Sequence, residues 1–356
     1  MGGQKCIAFF YNFLGKKVNF TTLTTKDNLV DNSNNFEVLN ILGTSKWRYI
    51  NFLYFFRIKK IIQAKQITHI ILEHPYYCWL GILLQRLCKV KLVIHSHNIE
   101  SIRFKSIGKW WWKILWHYEK LAHRNADINF FITDEDKVFA IKNYKLKPAT
   151  CHTITYGIEM KEVPLPQEKN DAKKVLQKNY AIPASEKIIL FNGTLDYKPN
   201  IDALDTILKI INPYLLTQNT FSYKIIICGK ALPQSYDDLR DYASKNIIYA
   251  GFVDDITIYF KGADIFINPV IDGGGIKTKL VEALGYNMNV VTTKSGAAGV
   301  PSNITGDKMK VIEEGWNVFA EQITNSNTSS QIPAVFFEYF YWGNIAKKAA
   351  NSIASI

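Results

Sequence analysis

The chain has 356 residues, of which 47% are hydrophobic and 21% charged, with a formal net charge of +12. It is too long for one compact core and too apolar for a disordered chain, and it predicts two domains of about 150–180 residues. Its unbroken apolar runs are strand-length, far short of the ~20 residues that span a bilayer. The charge is unevenly shared: residues 1–150 hold 23 Lys and Arg against 10 Asp and Glu, and the rest of the chain is near balance. The N-terminal half is therefore expected to face something anionic, whether a membrane surface, a phosphate-bearing acceptor or nucleic acid. The five cysteines (Cys6, Cys78, Cys88, Cys151, Cys228) form no CxxC pair, which speaks against a disulfide framework or zinc site and for a reducing compartment.

The chain opens on Gly2-Gly3, and a helix is predicted over Gln4–Leu14. Asn12 and the lack of a small-residue cleavage site exclude a signal peptide there. From about residue 17, β-branched runs alternate with stretches apolar at helical spacing. Strands are predicted at Val18–Thr24, Ile67–Glu73, Lys91–His95, Ile128–Thr133 and Thr150–Thr155, with helices over Trp47–Gln66, Tyr76–Cys88 and Trp110–Asn125. The linker candidate is Glu159–Lys169, with prolines at 164 and 166. A second series follows, with strands at Lys187–Asn192, Tyr223–Cys228, Ile247–Tyr249, Ile265–Asn268 and Asn289–Thr293. Strands separated by helices call for parallel sheets with right-handed crossovers, so the fold class is α/β with two doubly wound domains. Such a domain normally opens with a strand and a glycine turn. Here a helix comes first, and the leading strand is expected to be missing.

The most informative segment is 262–299, where a strand ending at Pro269 runs into Gly273-Gly274-Gly275 and a helix is predicted over Lys277–Leu284. A glycine turn at a helix N-terminus offers backbone N–H groups and the positive end of the helix dipole to a diphosphate. Lys277 and Lys279 add charge, and Glu282, one turn beyond Lys279, is placed to accept hydrogen bonds from a ribose diol. In the first half, His95 and His97 lie two apart at a strand end, so they point the same way. No third ligand is expected in reach, so no metal is expected there. Asp134-Glu135-Asp136 follows a strand and reads as a helix cap. Trp110, Trp111, Trp112 and Trp116 cover more than one helix face, so part of that cluster must be core while part is available to a membrane interface.

At these residues the chain resembles glycosyltransferase family 4, the retaining sugar-nucleotide-dependent enzymes of GT-B fold, in a GGGI-x-x-K variant. Phe191-Asn-Gly-Thr-Leu-Asp-Tyr-Lys-Pro-Asn200 resembles the family's first C-domain strand and glycine turn, while Cys228-Gly229-Lys230 and Tyr249-Ala-Gly-Phe-Val253 resemble its nucleotide-base loops. Gly262-Ala-Asp-Ile-Phe-Ile-Asn-Pro269 resembles the strand before the donor-binding helix. His95-Ser-His-Asn-Ile-Glu-Ser-Ile-Arg103 is similar to its strand-end His motif, Tyr156-Gly157-Ile158 to its hinge tract, and Gly2-Gly3 to its first glycine loop. Two departures stand out. Where the family has the first of two glutamates separated by seven residues, this chain has Gly274, and Thr194 occupies the position of a phosphate-binding Arg.

The resemblance implies two Rossmann-like domains facing a central cleft, with 1–157 and a crossover helix over 336–356 binding acceptor and 158–335 binding the donor. It implies metal-independent transfer of a hexose from a nucleotide-diphosphate sugar to a glycan or lipid-linked acceptor with retention, in surface polysaccharide or glycoconjugate synthesis. No cofactor is implied. His97, Lys198 and Lys279 would be catalytic. Gly193, Gly229, Lys230, Phe252, Val253, Gly273, Gly274, Gly275, Ile276, Lys277 and Glu282 would hold the nucleotide sugar, and Gly2, Gly3, Glu100 and Arg103 would face the acceptor. A cytoplasmic location, with peripheral contact at the inner face of an anionic membrane, fits the basic half. The alternatives are a sugar-nucleotide-binding protein without transferase activity and an enzyme of the UDP-N-acetylglucosamine 2-epimerase type. A nucleic-acid partner rests on charge alone and is not expected.

Overall fold

Both series of β-branched runs become parallel sheets, each within its own part of the chain. The computed structural model describes residues 2–29, 35–218, 221–326 and 329–356. One unit takes in Met1–Glu159 and Phe340–Ile356, the other Met160–Tyr339.

In the first unit, β1 (Thr21–Thr25) pairs in parallel with β2 (Glu37–Leu42). Strands β3 (His69–Glu73), β4 (Lys91–Ser96), β5 (Ile128–Phe131) and β6 (Cys151–Thr153) make a separate four-stranded parallel sheet in that order. Leu92 and Ile94 of the central β4 point to one face and pack with Cys78 and Ala122 of the two covering helices, Cys78–Cys88 and Trp112–Asn125. An apolar cavity of about 730 Å³, lined by Phe20, Leu23, Ile62, Ile70 and Leu72 among others, lies between β1 and β3. Gly2 and Gly3 belong to the helix Gly2–Leu14, not to the glycine loop implied by the resemblance. The helix predicted over Trp47–Gln66 comes in two pieces, a 3₁₀ turn Lys46–Ile50 and a helix Leu53–Lys65. The break falls at Asn51, whose backbone is extended and whose side chain accepts from Leu53 N at 3.0 Å.

The last part of the chain is two helices, Ala334–Phe340 and Trp342–Ala354, so the chain re-enters the first unit at 340 and not at 336. Ile158 and the extended Tyr341 form a parallel bridge, with Ile158 N donating to Phe340 O at 2.7 Å and Trp342 N to Ile158 O at 3.0 Å. The buried Trp342 ring fills the space over Gly157, where a Cβ would come within 2.5 Å of the indole. Tyr156-Gly157-Ile158 therefore needs its glycine for close approach.

The second unit has β7 (Lys187–Asn192), β8 (Tyr223–Cys228), β9 (Ile247–Gly251), β10 (Ile265–Asn268), β11 (Asn289–Thr293) and β12 (Met309–Ile312). All are parallel, in the order β12-β11-β10-β7-β8-β9. Ile189, Phe191, Ile225, Ile227, Ile265 and Ile267 are buried together in its core. The supposed linker is shorter than predicted: a helix starts at Pro166, with Glu168 accepting from Leu165 N at 2.9 Å. Chain order reverses between β7 and β10, and in open α/β sheets ligands collect at the carboxyl ends of the strands beside that reversal. Among the described residues no helix is long and apolar enough to cross a membrane.

Candidate functional site

Three strand-to-helix turns of the second unit meet at this reversal. β7 ends at Asn192 and turns at Gly193, and β8 ends at Cys228 and turns at Gly229. The two turns nest through Gly193 N to Cys228 O at 3.0 Å and Leu195 N to Lys230 O at 2.8 Å. A Cβ on Gly229 would lie 2.1 Å from Gly193 O, so the packing excludes any side chain there. The third turn follows β10. Gly273 (φ +99°) and Gly275 (φ +72°) occupy the left-handed region that favours glycine, and the helix Thr278–Gly285 begins one residue later than predicted.

Lys279, in the first turn of that helix, reaches back across the reversal. Its Nζ donates to Asn192 O at 2.8 Å and Asn200 Oδ1 at 3.2 Å, and lies 4.7 Å from the centre of the Phe191 ring. Burial, with a smaller contribution from the Lys277 charge, pushes its pKa down to about 7. Lys277 does not project freely from the bend. Its Nζ closes the loop by donating to Gly273 O at 2.7 Å and Gly275 O at 3.0 Å, and burial pushes it down to about 8. Beside them Asn192 Oδ1 is buried without a hydrogen-bond partner. Two desolvated amines held by carbonyls, at a helix N-terminus and a glycine bend, are donors of the kind that suits an anion such as a diphosphate, whose oxygens would replace those carbonyls. Asn192 and Asn200 were not singled out from sequence, although both lie in the Phe191–Asn200 segment.

The other donor-side residues are more dispersed. Lys198 is exposed and held in an ion pair with Asp202 at 2.7 Å, one turn along its own helix. Lys230 is exposed and contributes its carbonyl to the nested turns. Phe252 is exposed next to Gly251, which has φ +67°, and Val253 and Ile276 are half-buried. Glu282 is half-buried on the Lys279 helix and is engaged by a neighbour. A cavity of about 460 Å³, lined by Ile271, Thr293, Glu313 and Trp316, opens at the ends of β11 and β12 on the same sheet edge.

The first unit has a second polar cluster at the carboxyl ends of β3 and β4. His97 Nε2 lies 2.5 Å from Glu73 Oε2, His95 Nδ1 lies 3.1 Å from Glu73 Oε1, and Tyr11 donates its hydroxyl to Oε1. Burial alone would raise the Glu73 pKa, but the two imidazoles outweigh it and hold the carboxyl well below the usual range. An ionised carboxylate only accepts, so the facing nitrogen of each imidazole carries the proton. This corrects the expectation that no third ligand atom stands near His95 and His97. Glu73, from the neighbouring strand, brings three candidate atoms within 4.8 Å of one another, and its contacts with them are of hydrogen-bond length. Next to it, Glu100 is fully buried and accepts from Tyr76 OH at 2.7 Å and Arg103 Nη1 at 2.8 Å. The helix bearing Glu100 is held at its start by Glu119, which accepts from Glu100 N and Ser101 N at 2.8 and 2.9 Å. At Asp134-Glu135-Asp136 the cap is Thr133, whose hydroxyl accepts from Asp136 N at 3.1 Å, and Asp134 is taken by Lys137 and Thr153. In the tryptophan cluster Trp110 is exposed, while Trp111 packs on Phe104 and Trp116 on Tyr144.

Residues 17–162 match the family model Glycosyltransferase Family 4, and residues 186–326 match Glycosyl transferases group 1. An uncharacterised 44.6 kDa protein in the cps region of Klebsiella pneumoniae is 26% identical over 316 residues, covering 83% of this chain and 76% of that protein. Among solved structures, HepE of Anabaena in complex with UDP and glucose is 15% identical with a TM-score of 0.68, covering 100% of this chain and 96% of that one. WaaG, a glycosyltransferase involved in lipopolysaccharide biosynthesis, is 14% identical with a TM-score of 0.62 at the same coverage.

Proposed function

The chain belongs to the GT-B glycosyltransferases of family 4, and from that premise we propose that it transfers a hexose from a nucleotide-diphosphate sugar to a glycan or lipid-linked acceptor, with retention and without a metal ion. The observation that carries this reading is the desolvated Lys279 amine, in the first turn of the helix that follows the glycine bend and held by Asn192 O at the end of β7 and by Asn200 Oδ1. When the bond between the anomeric carbon and the β-phosphate oxygen breaks, negative charge collects on the departing phosphate. Donors already fixed at that point stabilise the transition state without reorganising. Lys279 and the N–H groups of Gly274 and Gly275 supply them, with Lys198 joining once it leaves Asp202. The acceptor oxygen bonds to the same face of the sugar and passes its proton to the departing phosphate, so no side-chain base is required. Glu282 takes the ribose diol, and Gly229, Lys230, Phe252 and Val253 take the base. On the first unit His97 is the sugar contact of this reading and Arg103 the acceptor contact, while Glu100, fully buried, faces no ligand and instead holds the Arg103 guanidinium. Work on surface polysaccharide or glycoconjugate fits the cps-region relative and the lipopolysaccharide role of WaaG, and a cytoplasmic protein in peripheral contact with an anionic membrane surface fits the basic first half.

A thermal-shift panel of UDP-, GDP- and ADP-sugars tests the reading. A ligand present at 100 times its Kd adds about 2.7 kcal/mol, and Lys279→Ala should abolish the shift. A panel without any shift, or an undiminished shift in that variant, overturns the placement of the diphosphate.

A further inference from the structure

From Gly43 to Gln66 the chain carries Lys46, Arg48, Arg57, Lys59, Lys60 and Lys65 and not one acidic residue. The helix Leu53–Lys65 turns Tyr54, Phe55, Ile58 and Ile62 inward, against Leu80 and Leu84, and this satisfies its packing. Five further large apolar side chains are left outside: Trp47, Ile50, Phe52, Leu53 and Phe56 are each between 54% and 75% exposed within ten residues of chain. Two of them are in contact, and one reaches a third ring. The Phe52 ring stacks on Trp79 at 5.9 Å and meets Phe56 edge-on at 6.0 Å. Trp79 N in turn donates to Tyr118 OH at 3.3 Å, on the helix that exposes Ile114 and Leu121. A fold gains nothing from so much exposed aromatic surface, and contiguous apolar patches of this kind mark interaction sites.

We infer that this face, Trp47 to Phe56 with Arg57, Lys59 and Lys60, seats the first unit on an anionic lipid surface. The charge pattern selects that occupant. Aromatic rings and aliphatic side chains settle at the level of the headgroups, while the surrounding cations meet lipid phosphates, each worth roughly a five-fold gain in partitioning. The face holds Arg48, Arg57, Lys59 and Lys60 and no acidic residue, while Lys65 beyond it is already paired with Glu37 at 2.7 Å, so the charge of the face is of one sign, as an anionic lipid surface requires. The seat lies mainly on residues 47–60 and not, as the sequence suggests, on the tryptophans at 110–112 and 116, among which Trp110 alone is exposed while the other three are half-buried. This deepens the membrane contact proposed above, and it does not depend on transfer activity.

The test is co-sedimentation of the full chain with vesicles of phosphatidylcholine, alone or with about 30% phosphatidylglycerol. The wild type should bind the anionic vesicles at least ten-fold better, and high salt should reduce the difference. Phe52→Ser/Phe56→Ser and Lys59→Glu/Lys60→Glu should each lower binding by at least ten-fold while the Tm and any nucleotide-sugar shift stay unchanged, since these side chains are not needed by the core or the donor site. Equal binding to both vesicles, or variants that bind like the wild type, overturns the inference. So does a dimer that Phe52→Ser/Phe56→Ser converts to monomer, because the face would then belong to a second copy. A chain that sediments through this face but responds to no nucleotide sugar overturns the transferase reading alone.

Discussion

Donor binding should take up a proton at Lys279 and should therefore weaken as pH rises above neutrality. Burial has lowered this ammonium from about 10.5 to about 7 in the free protein. A diphosphate oxygen in place of the Asn192 and Asn200 partners would restore a pKa near the ordinary value, so the bound form stays protonated throughout the accessible range. The free-state pKa is the lower of the two. The affinity is thus fully present below it and is lost as pH climbs through it, approaching ten-fold per pH unit. With a free-state value of about 7, Kd at pH 8.5 should be about 25-fold weaker than at pH 6.5. Lys277, lowered to about 8, titrates as a neighbour and can only steepen the trend. Isothermal titration of UDP-glucose in two buffers of different ionisation enthalpy reads the proton uptake directly. Lys279→Arg, which stays charged at every pH used, should flatten the profile. An equal Kd at pH 6.5 and 8.5 in the wild type, with no proton taken up, would refute the reasoning.

Three further outcomes follow from other parts of the molecule. Gly273→Ala forces a side chain to φ +99° and should cost about 1–2 kcal/mol in chemical denaturation, whereas Gly274→Ala, outside the positive-φ set, should cost less; equal costs would contradict the assigned bend. His74 and His123 are both lowered to about 4, chiefly by burial. The unfolded chain therefore binds protons between pH 6.5 and 4 that the native chain refuses, and stability should fall across that window by up to about 3 kcal/mol per group. Seven of the eight tryptophans lie in the first unit, Trp316 being the exception, so indole fluorescence follows this loss, and His123→Gln should reduce its slope. Trp342→Ala should destabilise the same unit by about 3–5 kcal/mol, and a near-neutral value would mean that the return helix is dispensable.

Strands buried on both faces were legible to the residue. β7, β8, β10 and β11 match their predicted limits because uninterrupted Ile, Val and Phe runs stop at polar ends. β2 and β12 escaped notice. Glu37–Leu42 is only partly buried and carries Asn40 within it, and Met309–Ile312 is four residues long with Lys310 among them. At the candidate site the glycines and Lys279 were readable, since each answers to a local rule about turns or helix ends. The partners of Lys279 were not, because a carbonyl and an amide brought in from 79 or more positions away leave no local trace. Glu73 was hidden for the same reason: it stands 22 and 24 residues before the histidines it holds, and only strand register brings them level. Lys277 is legible only in part. Its charge at the bend is legible from spacing, but the length that lets it fold back and tie its own loop is not.

The bridge between Ile158 and Tyr341 means that the polypeptide leaves the first unit and comes back to it through one doorway. The intervening 160–339 is, topologically, a guest module spliced into a host, with its two ends meeting at neighbouring points. Such a module can be excised as a single gene fragment, or its ends joined and new ones opened in a surface loop, without cutting a strand of either sheet. The donor binding proposed for the module thereby becomes open to dissection apart from the lipid contact proposed for the host.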